Sequence, residues 1–363
     1  MSPNTRASAR DLLAVLEPAR EIVILPHDNP DPDSLASAEG LRAAIRHALR
    51  KPVAIALSGI IGRSQNRSMV STLRLELEPI AKLKRQLRET VVLVDTQPGR
   101  KNNSLPPDVR PAAVIDHHPD WGSNEGVAFL DLREGYGATS TIVTEYLQEL
   151  EVPIRKRLAT ALFYGITSET RNLGREAQPA DIVATQFLYP YVDKRALAEI
   201  ETPRLKASYF ELVGKAVESA IVCDDVVISL VSEIPYPDAV AELADLLVRL
   251  EGAVWALCVA PCGPYLQLSV RSNDPEARAG EMLACLLPPG TAGGHGMVAG
   301  GRLNLEDGDW QAASCEIAKA LLRKLGRSGR KSRWLVSKPD GAAANRSAGS
   351  QLLEELPLES ITT

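Results

Sequence analysis

The chain has 363 residues, enough for two domains at the usual ~100–200 residues each. Its hydrophobic content of 45% and charged content of 24% are ordinary for a soluble globular protein. The formal net charge of -5 excludes a global basic field of the kind that holds long nucleic acid through its phosphates, although it leaves room for a small basic pocket.

Residues 1–10 are polar and lack an apolar signal core, and no stretch approaches ~18 uninterrupted apolar residues. A cytoplasmic chain with no membrane contact is the expectation. The first half then alternates short apolar runs with helical patterns. Residues 21–26 (EIVILP), 53–57 (VAIAL), 91–94 (VVLV) and 112–115 (AAVI), with 127–130 (VAFL) as a fifth, read as strands buried on both faces. Leu35, Ala38, Leu41, Ile45 and Ala48 recur at three- and four-residue steps and share one helical face, with Ser34 as candidate N-cap. Residues 139–150 and 154–166 read as two more helices. This alternation predicts βαβ units and an α/β fold: a first domain, residues 1–190, with a mostly parallel sheet and helices on both faces.

From 181 to 219 the chain reads as helical, interrupted at Pro190 and Pro203, and 191–219 is expected to be a helical linker. A smaller α/β domain follows over 220–326, with strands at 226–231, 253–259 and 265–270, a helix at 239–250, and antiparallel pairs. Past Leu325 the sequence turns basic (Arg327, Arg330, Lys331, Arg333) and then small, polar and acidic, so 327–363 is expected to be a disordered tail. Its basic run reads as a solvated linker or an RNA contact. The five cysteines (Cys223, Cys258, Cys262, Cys285, Cys315) form neither a paired framework nor a zinc spacing, which suggests small buried hydrophobes in a reducing compartment.

The chemistry lies in where histidines and aspartates fall. Of five histidines, only His47 is within a predicted helix, where a surface position is expected. The first cluster, His27-Asp28-Asn29-Pro30-Asp31-Pro32-Asp33, follows the first strand. Asp95 follows VVLV, and Asp116-His117-His118 follows AAVI. Ligands of an open parallel sheet bind at the carboxyl ends of strands, so three strand ends would deliver His27, Asp31, Asp33, Asp95, Asp116, His117 and His118 to one edge. So many carboxylates in one crevice repel each other unless cations neutralise them, and mixed carboxylate and imidazole donors suit Mn²⁺.

These motifs, in this order, resemble those of the DHH superfamily of phosphoesterases. The resemblance extends to Gly137-Ala138-Thr139-Ser140-Thr141, similar to the family's GATS-type helix start. In the second half, Ser269-Val270-Arg271-Ser272 and Gly293-Gly294-His295-Gly296 resemble the SxRS and GGGH motifs of the DHH-associated domain. Within the family the sequence looks most like the bacterial nanoRNase and pAp-phosphatase proteins; family members often form homodimers, and this sequence leaves the oligomeric state open.

Carried over by position, the resemblance implies two manganese ions, with Mg²⁺ or Co²⁺ as substitutes. His27, Asp31 and Asp95 would hold one, and Asp33, Asp95 and His117 the other, with Asp95 bridging. Catalytic His118 would face the phosphate, and Asp116 would orient His117. Arg271, Ser272, Gly293, Gly294, His295 and Arg302 would bind substrate, and Thr139 and Ser140 would either contact phosphate or simply cap a helix. One position departs from the family. In Gly165-Ile166-Thr167-Ser168-Glu169-Thr170, Glu169 stands where the family has Asp, and is still expected to ligate the second ion.

The expected activity is Mn-dependent hydrolysis of short oligoribonucleotides, linear dinucleotides or pAp, with no long nucleic acid as partner. Two alternatives stand beside it. A non-catalytic nucleotide-binding module is favoured only by Glu169. A pyrophosphatase or polyphosphatase is opposed by the Arg271 and His295 motifs.

Overall fold

The computed structural model describes residues 7–100, 102–174, 176–305, 308–336 and Leu352, with the side chain of His295 left out. The chain divides into two compact units at Arg204/Leu205.

The first unit runs α1 (Ala9–Leu16), β1 (Ile22–Pro26), α2 (Pro32–Leu49), β2 (Val53–Leu57), α3 (Ser64–Thr72), β3 (Glu78–Pro79), β4 (Val91–Val94), β5 (Ala113–Asp116), β6 (Phe129–Leu132), α4 (Thr139–Glu149), α5 (Lys156–Glu169), α6 (Pro179–Leu188) and α7 (Lys194–Glu201). Its six strands are ordered β3-β2-β1-β4-β5-β6 and every pairing is parallel. β1, β4 and β5 are buried along their whole length, which is why their sequences are continuous apolar runs. Successive residues face opposite sides. Ile22, Ile24, Val92, Val94 and Ile115 pack under α1, α2, α4 and α5. Val23, Leu25, Val91, Leu93 and Val114 pack with Leu83 and Leu87, which lie in or beside two single-turn 3₁₀ helices, Ile80–Lys82 and Gln86–Arg88.

The sequence reading places the N-cap of α2 at Ser34; the structure places it at Asp31, whose carboxylate accepts the Ser34 N–H at 2.9 Å. Pro32 follows at the first helical position, where its missing N–H leaves nothing unpaired. His47 is exposed on α2, as expected. The short strand β3 carries no apolar run and was not legible in the sequence.

The second unit runs α8 (Ala207–Glu218), β7 (Ala220–Cys223), β8 (Val226–Leu230), α9 (Ala239–Leu247), β9 (Trp255–Cys262), β10 (Tyr265–Ser272), α10 (Ala279–Ala284), β11 (Ala292–His295), β12 (Val298–Asn304), α11 (Trp310–Lys324) and β13 (Ser332–Trp334). Its seven strands are ordered β11-β12-β10-β9-β8-β7-β13, antiparallel throughout except for the parallel pair β8–β9. β13 corrects part of the expected tail. Ser332–Trp334 pairs with β7, and Arg327, read as part of a solvated run, donates to both oxygens of Asp225 at 2.7 and 2.8 Å. Apart from Leu352, the rest of the expected tail, residues 337–363, lies outside the described residues. Cys223, Cys258 and Cys315 are buried, Cys262 is half-buried and Cys285 exposed, all as free thiols. Among the described residues, no helix is long and apolar enough to cross a membrane.

Helix α2 is held against α4 and α5 by small residues. A Cβ on Gly40 would overlap Val143 Cγ1 on α4 and lie 3.3 Å from Leu162 Cδ2 on α5. Gly40→Ala is therefore expected to lower stability by ~1–3 kcal/mol through overpacking, although Ala is the better helix former. Combining it with Val143→Ala should restore part of the loss in denaturant unfolding. A stable single variant, or a double variant worse than the sum of its parts, would refute the close-approach explanation.

Candidate metal centre

β1 and β4 are neighbours in the sheet, but the chain leaves β1 towards β2 on one side and β4 towards β5 on the other. Diverging connections leave a crevice outside the carboxyl ends of those two strands. His27 follows β1, Asp95 follows β4, Asp116 is the last residue of β5, and His117 and His118 come next. The chain turns sharply there: Asp95 sits at φ +57, a left-handed conformation costly for a residue with a side chain, and its N–H still donates to Ile115 at 2.9 Å.

Asp95 is buried at the centre. Its Oδ2 lies 3.8 Å from His27 Nε2, which is itself 3.6 Å from Asp31 Oδ1. Its Oδ1 lies 3.6 Å from His117 Nε2, 3.7 Å from His118 Nδ1, and accepts the Thr139 hydroxyl at 2.9 Å. Each imidazole is fixed through Nδ1: His27 against the Asp28 carbonyl at 2.9 Å, His117 against the Tyr136 carbonyl at 3.1 Å, and His118 against Asp116 Oδ1 at 2.8 Å. A ring nitrogen that faces a carbonyl carries the proton, so His27 and His117 turn the Nε2 lone pair towards carboxylates.

That arrangement fits a cation. The 3.6–3.8 Å gaps exceed hydrogen-bond length and approach the spacing of neighbouring donors around an ion whose bonds are ~2.1 Å. Ligand atoms of His27, Asp31 and Asp95 all lie within 4.8 Å of one another, as do those of Asp95, Asp116, His117 and His118. Asp95 belongs to both groups.

The electrostatics agree. Burial, with the nearby charges of Asp33 and Asp31, pushes the Asp95 carboxyl well above its ordinary value. Burial also raises Asp33. Burial opposes charge on His27, yet the Asp31 and Asp95 carboxylates push it up to about 10. His117 is likewise raised against its burial by Asp95, Asp33 and Glu169. Asp31 is held below its ordinary value, burial notwithstanding, by His27. The protein alone thus draws protons onto the cluster to balance its negative charge, a role that a divalent cation fills directly.

Other expected site residues are placed differently. Asp33 is buried on α2 and outside both groups; its two oxygens accept the N–H groups of Thr139 and Ser140 at 2.8 Å each. Thr139 and Ser140, expected to contact phosphate or to cap a helix, instead have their own amides capped by Asp33. Asp116 corrects another expectation. It orients His118, not His117, because Oδ1 faces His118 Nδ1 while Oδ2 accepts from Gln97 Nε2 at 2.8 Å. His118 and the Gln97 bond bring Asp116 down to about 2 in spite of burial. Burial lowers His118, helped by the charges of His117 and Arg100. Glu169 ends α5, half-buried, and acts on His117 through its charge without joining either group.

In the second unit, Arg271 is buried and turned inward: Nε donates to Asp245 at 2.6 Å, and Nη1 to Ser269 Oγ at 2.8 Å and to the Val270 carbonyl at 3.0 Å. Ser272 Oγ donates to the Val254 carbonyl at 3.1 Å. Arg302 stacks over Tyr265, 5.2 Å from the ring centre. Gly293 and Gly294 are exposed on β11. Gly294 has φ +152, and a Cβ there would overlap the Val298 carbonyl. His295 pairs through its backbone with Val298, and its side chain lies outside what is described.

Sequence reasoning missed Gln97, Arg100, Trp121 and Asp181. Buried Asp181 accepts the N–H groups of Gly137 at 2.8 Å and Gln178 at 2.7 Å and the Thr141 hydroxyl at 2.5 Å, fixing the start of α4. None of these four carries a spacing signal; only proximity in sequence to Asp95 and His118 could have marked Gln97, Arg100 and Trp121.

The uncharacterized protein MJ1633 of Methanocaldococcus jannaschii is 32% identical to this chain over 306 residues, covering 84% of this chain and 61% of that protein. The chain thus spans less than two thirds of that relative. The A-adding tRNA nucleotidyltransferase of Aquifex aeolicus is 33% identical over 132 residues, 36% of this chain and 15% of that protein. An exopolyphosphatase-related protein from Bacteroides fragilis shares the fold, with a TM-score of 0.71 at 15% identity over 87% of this chain and 95% of that one. Residues 21–166 match the DHH family, N-terminal domain, a span that holds every loop of the carboxylate–imidazole crevice from His27 to His118. The unit that carries the crevice therefore contains a DHH-family N-terminal domain.

Proposed function

We propose that the chain is a manganese-dependent phosphoesterase that hydrolyses short oligoribonucleotides, linear dinucleotides or pAp. One observation carries this reading: His27 and His117 each have Nδ1 held by a main-chain carbonyl and Nε2 turned towards opposite oxygens of the buried Asp95. Such a donor set would suit two cations, with Asp95 available to both. The family match and the motif resemblance supply the substrate class, a phosphate ester.

With two divalent cations bound, such a site supplies Lewis-acid charge and a water of lowered pKa at neutral pH. The chain's residues then have separable tasks. His27, Asp31 and Asp95 would hold one cation. Asp95 and His117 would hold the other, with Asp33 and Glu169 adding negative charge around it. Burial lowers the His118 pKa and so favours the neutral ring, whose Nδ1–H donates a hydrogen bond to Asp116 Oδ1. Its Nε2 can therefore accept a proton from the attacking water and deliver it to the leaving oxygen as the P–O ester bond breaks, while Asp116 stabilises the charged ring. Arg302 and the exposed glycines of β11 are the proposed substrate contacts of the second unit. The net charge of -5 disfavours long nucleic acid as substrate.

Two measurements follow. In cation-free protein the carboxylates repel one another, so Asp95→Asn should raise the melting temperature in chelator. Manganese at ~100 times its dissociation constant should stabilise wild type by ~2.7 kcal/mol and leave Asp95→Asn almost unchanged. Equal manganese shifts in both proteins would place the ion elsewhere.

The second is turnover with manganese on pAp, a 5′-phosphorylated diribonucleotide, a five-nucleotide RNA, a long RNA and pyrophosphate. Mononucleotide release from the short substrates is expected, with His118→Ala lowering kcat by ~100–1,000-fold and Asp95→Ala losing activity. Glu169→Asp tests whether the longer side chain weakens the second position. Activity in that variant alone would mean Glu169 disables the site, and preferential breakdown of the long RNA would overturn the substrate assignment.

A further inference from the structure

We propose that Arg100 and Trp121 form a nucleotide-recognition subsite beside the metal centre, Trp121 stacking a base and Arg100 receiving a phosphate. This rests on reading the centre as one for phosphate esters and names what distinguishes its substrate.

The two residues come from different loops that are tied together. Gln97, buried two residues after Asp95, donates through Nε2 to Asp116 Oδ2 at 2.8 Å and to the Pro119 carbonyl at 3.0 Å. Its Oε1 accepts the Trp121 N–H at 3.2 Å and Asn124 Nδ2 at 3.1 Å. One side chain thereby fixes the loop after β4, Asp116 and the backbone of Trp121 together. The same loops touch again where Gly99 turns at φ +77: a Cβ there would lie 2.8 Å from Ser123 Oγ. From this junction the Arg100 guanidinium carbon lies 4.2 Å from the centre of the Trp121 ring.

Three properties make the pair a binding surface. First, Trp121 is 56% exposed, a large aromatic left in water on a loop whose backbone is held by side-chain hydrogen bonds. Second, the pair is at the chemistry: Trp121 lies three residues after His118, and the charge of Arg100 acts on Asp116, Asp95 and His118. Third, a planar guanidinium and an indole together match what a nucleotide offers, a phosphate and a flat π-face. Stacking tolerates any base, so the subsite selects for a base without selecting its sequence.

Binding is read separately from turnover. The whole 363-residue chain, with manganese, is titrated with AMP and with ribose 5-phosphate, which has the phosphate but no base. Wild type is expected to prefer AMP. Trp121→Ala should cut that preference at least ~10-fold, and Trp121→Phe should keep most of it. Arg100→Ala should weaken both ligands. The proposal falls if wild type binds the two ligands equally, if Trp121→Ala weakens both by the same factor, or if Arg100→Ala leaves both unchanged. The expected binding pattern in a protein that cleaves no phosphate ester would support this subsite and overturn the hydrolytic reading alone.

Discussion

Three carboxylates, Asp31, Asp33 and Asp95, are gathered within reach of one another's charge where the strand order of the parallel sheet reverses between β1 and β4. Unbalanced, that concentration of negative charge would push the loops apart. Much of the first unit can be understood as what balances it. Asp31 caps α2 through the Ser34 N–H, and Asp33, two residues on, caps α4 through Thr139 and Ser140. The positive ends of two helices are thereby aimed at adjacent carboxylates. Because those caps depend on where α2 sits against α4, the small residue Gly40 sets the position of site groups it never touches.

The remaining balance comes from imidazoles, and each is oriented by a different kind of partner. His27 is fixed by the carbonyl of its own neighbour, His117 by the Tyr136 carbonyl, and His118 by a carboxylate. The Tyr136 anchor is itself supported: its hydroxyl donates to Glu145 at 2.9 Å, and Arg133, which pairs with Asp131 at 2.6 Å, stacks over its ring. The two histidines held by carbonyls keep Nε2 available to a cation. The one held by Asp116 is better suited to moving protons, since a carboxylate stabilises its charged form. Adjacent residues, His117 and His118, so acquire separate chemistry from different Nδ1 partners and different neighbouring charges.

This division explains what was legible in the sequence. Strands buried on both faces show as apolar runs, and the ends of β1, β4 and β5 locate His27, Asp95 and Asp116 without further knowledge. The partners of those residues are harder to read, because they depend on contacts between distant segments. The family resemblance implied that Asp116 orients His117, its neighbour in the chain, yet the carboxylate faces His118. Ser34 is a good N-cap residue by type, but the helix already begins at Pro32, and Asp31 caps it by accepting the Ser34 N–H. Gln97 and Asp181, both buried hubs, look like ordinary polar residues because nothing in their local sequence announces the groups they join. In the second unit, Arg271 reads as a phosphate ligand by motif, whereas its Asp245 partner lies on another element and turns it inward.

Glu169 draws these constraints together. It is the last residue of α5, where the helix dipole already presents negative potential and no basic residue lies in the final turn. A carboxylate there is destabilising unless something positive faces it. Beyond Thr170 the chain enters three consecutive left-handed residues, Arg171, Asn172 and Leu173, at φ 46, 55 and 63. That turn is held by the Asn172 N–H on the Thr167 carbonyl at 2.7 Å and the Leu173 N–H on Thr170 Oγ1 at 3.1 Å. Non-glycine residues hold such backbone only when their surroundings over-determine it, at a cost on the order of 1–3 kcal/mol each. The helix therefore ends at a fixed place, and the charge of Glu169 is presented to His117, whose imidazole it drives towards its protonated form. Proton and cation compete for the same nitrogen, so the residue that most departs from the family pattern is also one that helps set how readily His117 gives up its proton to a metal.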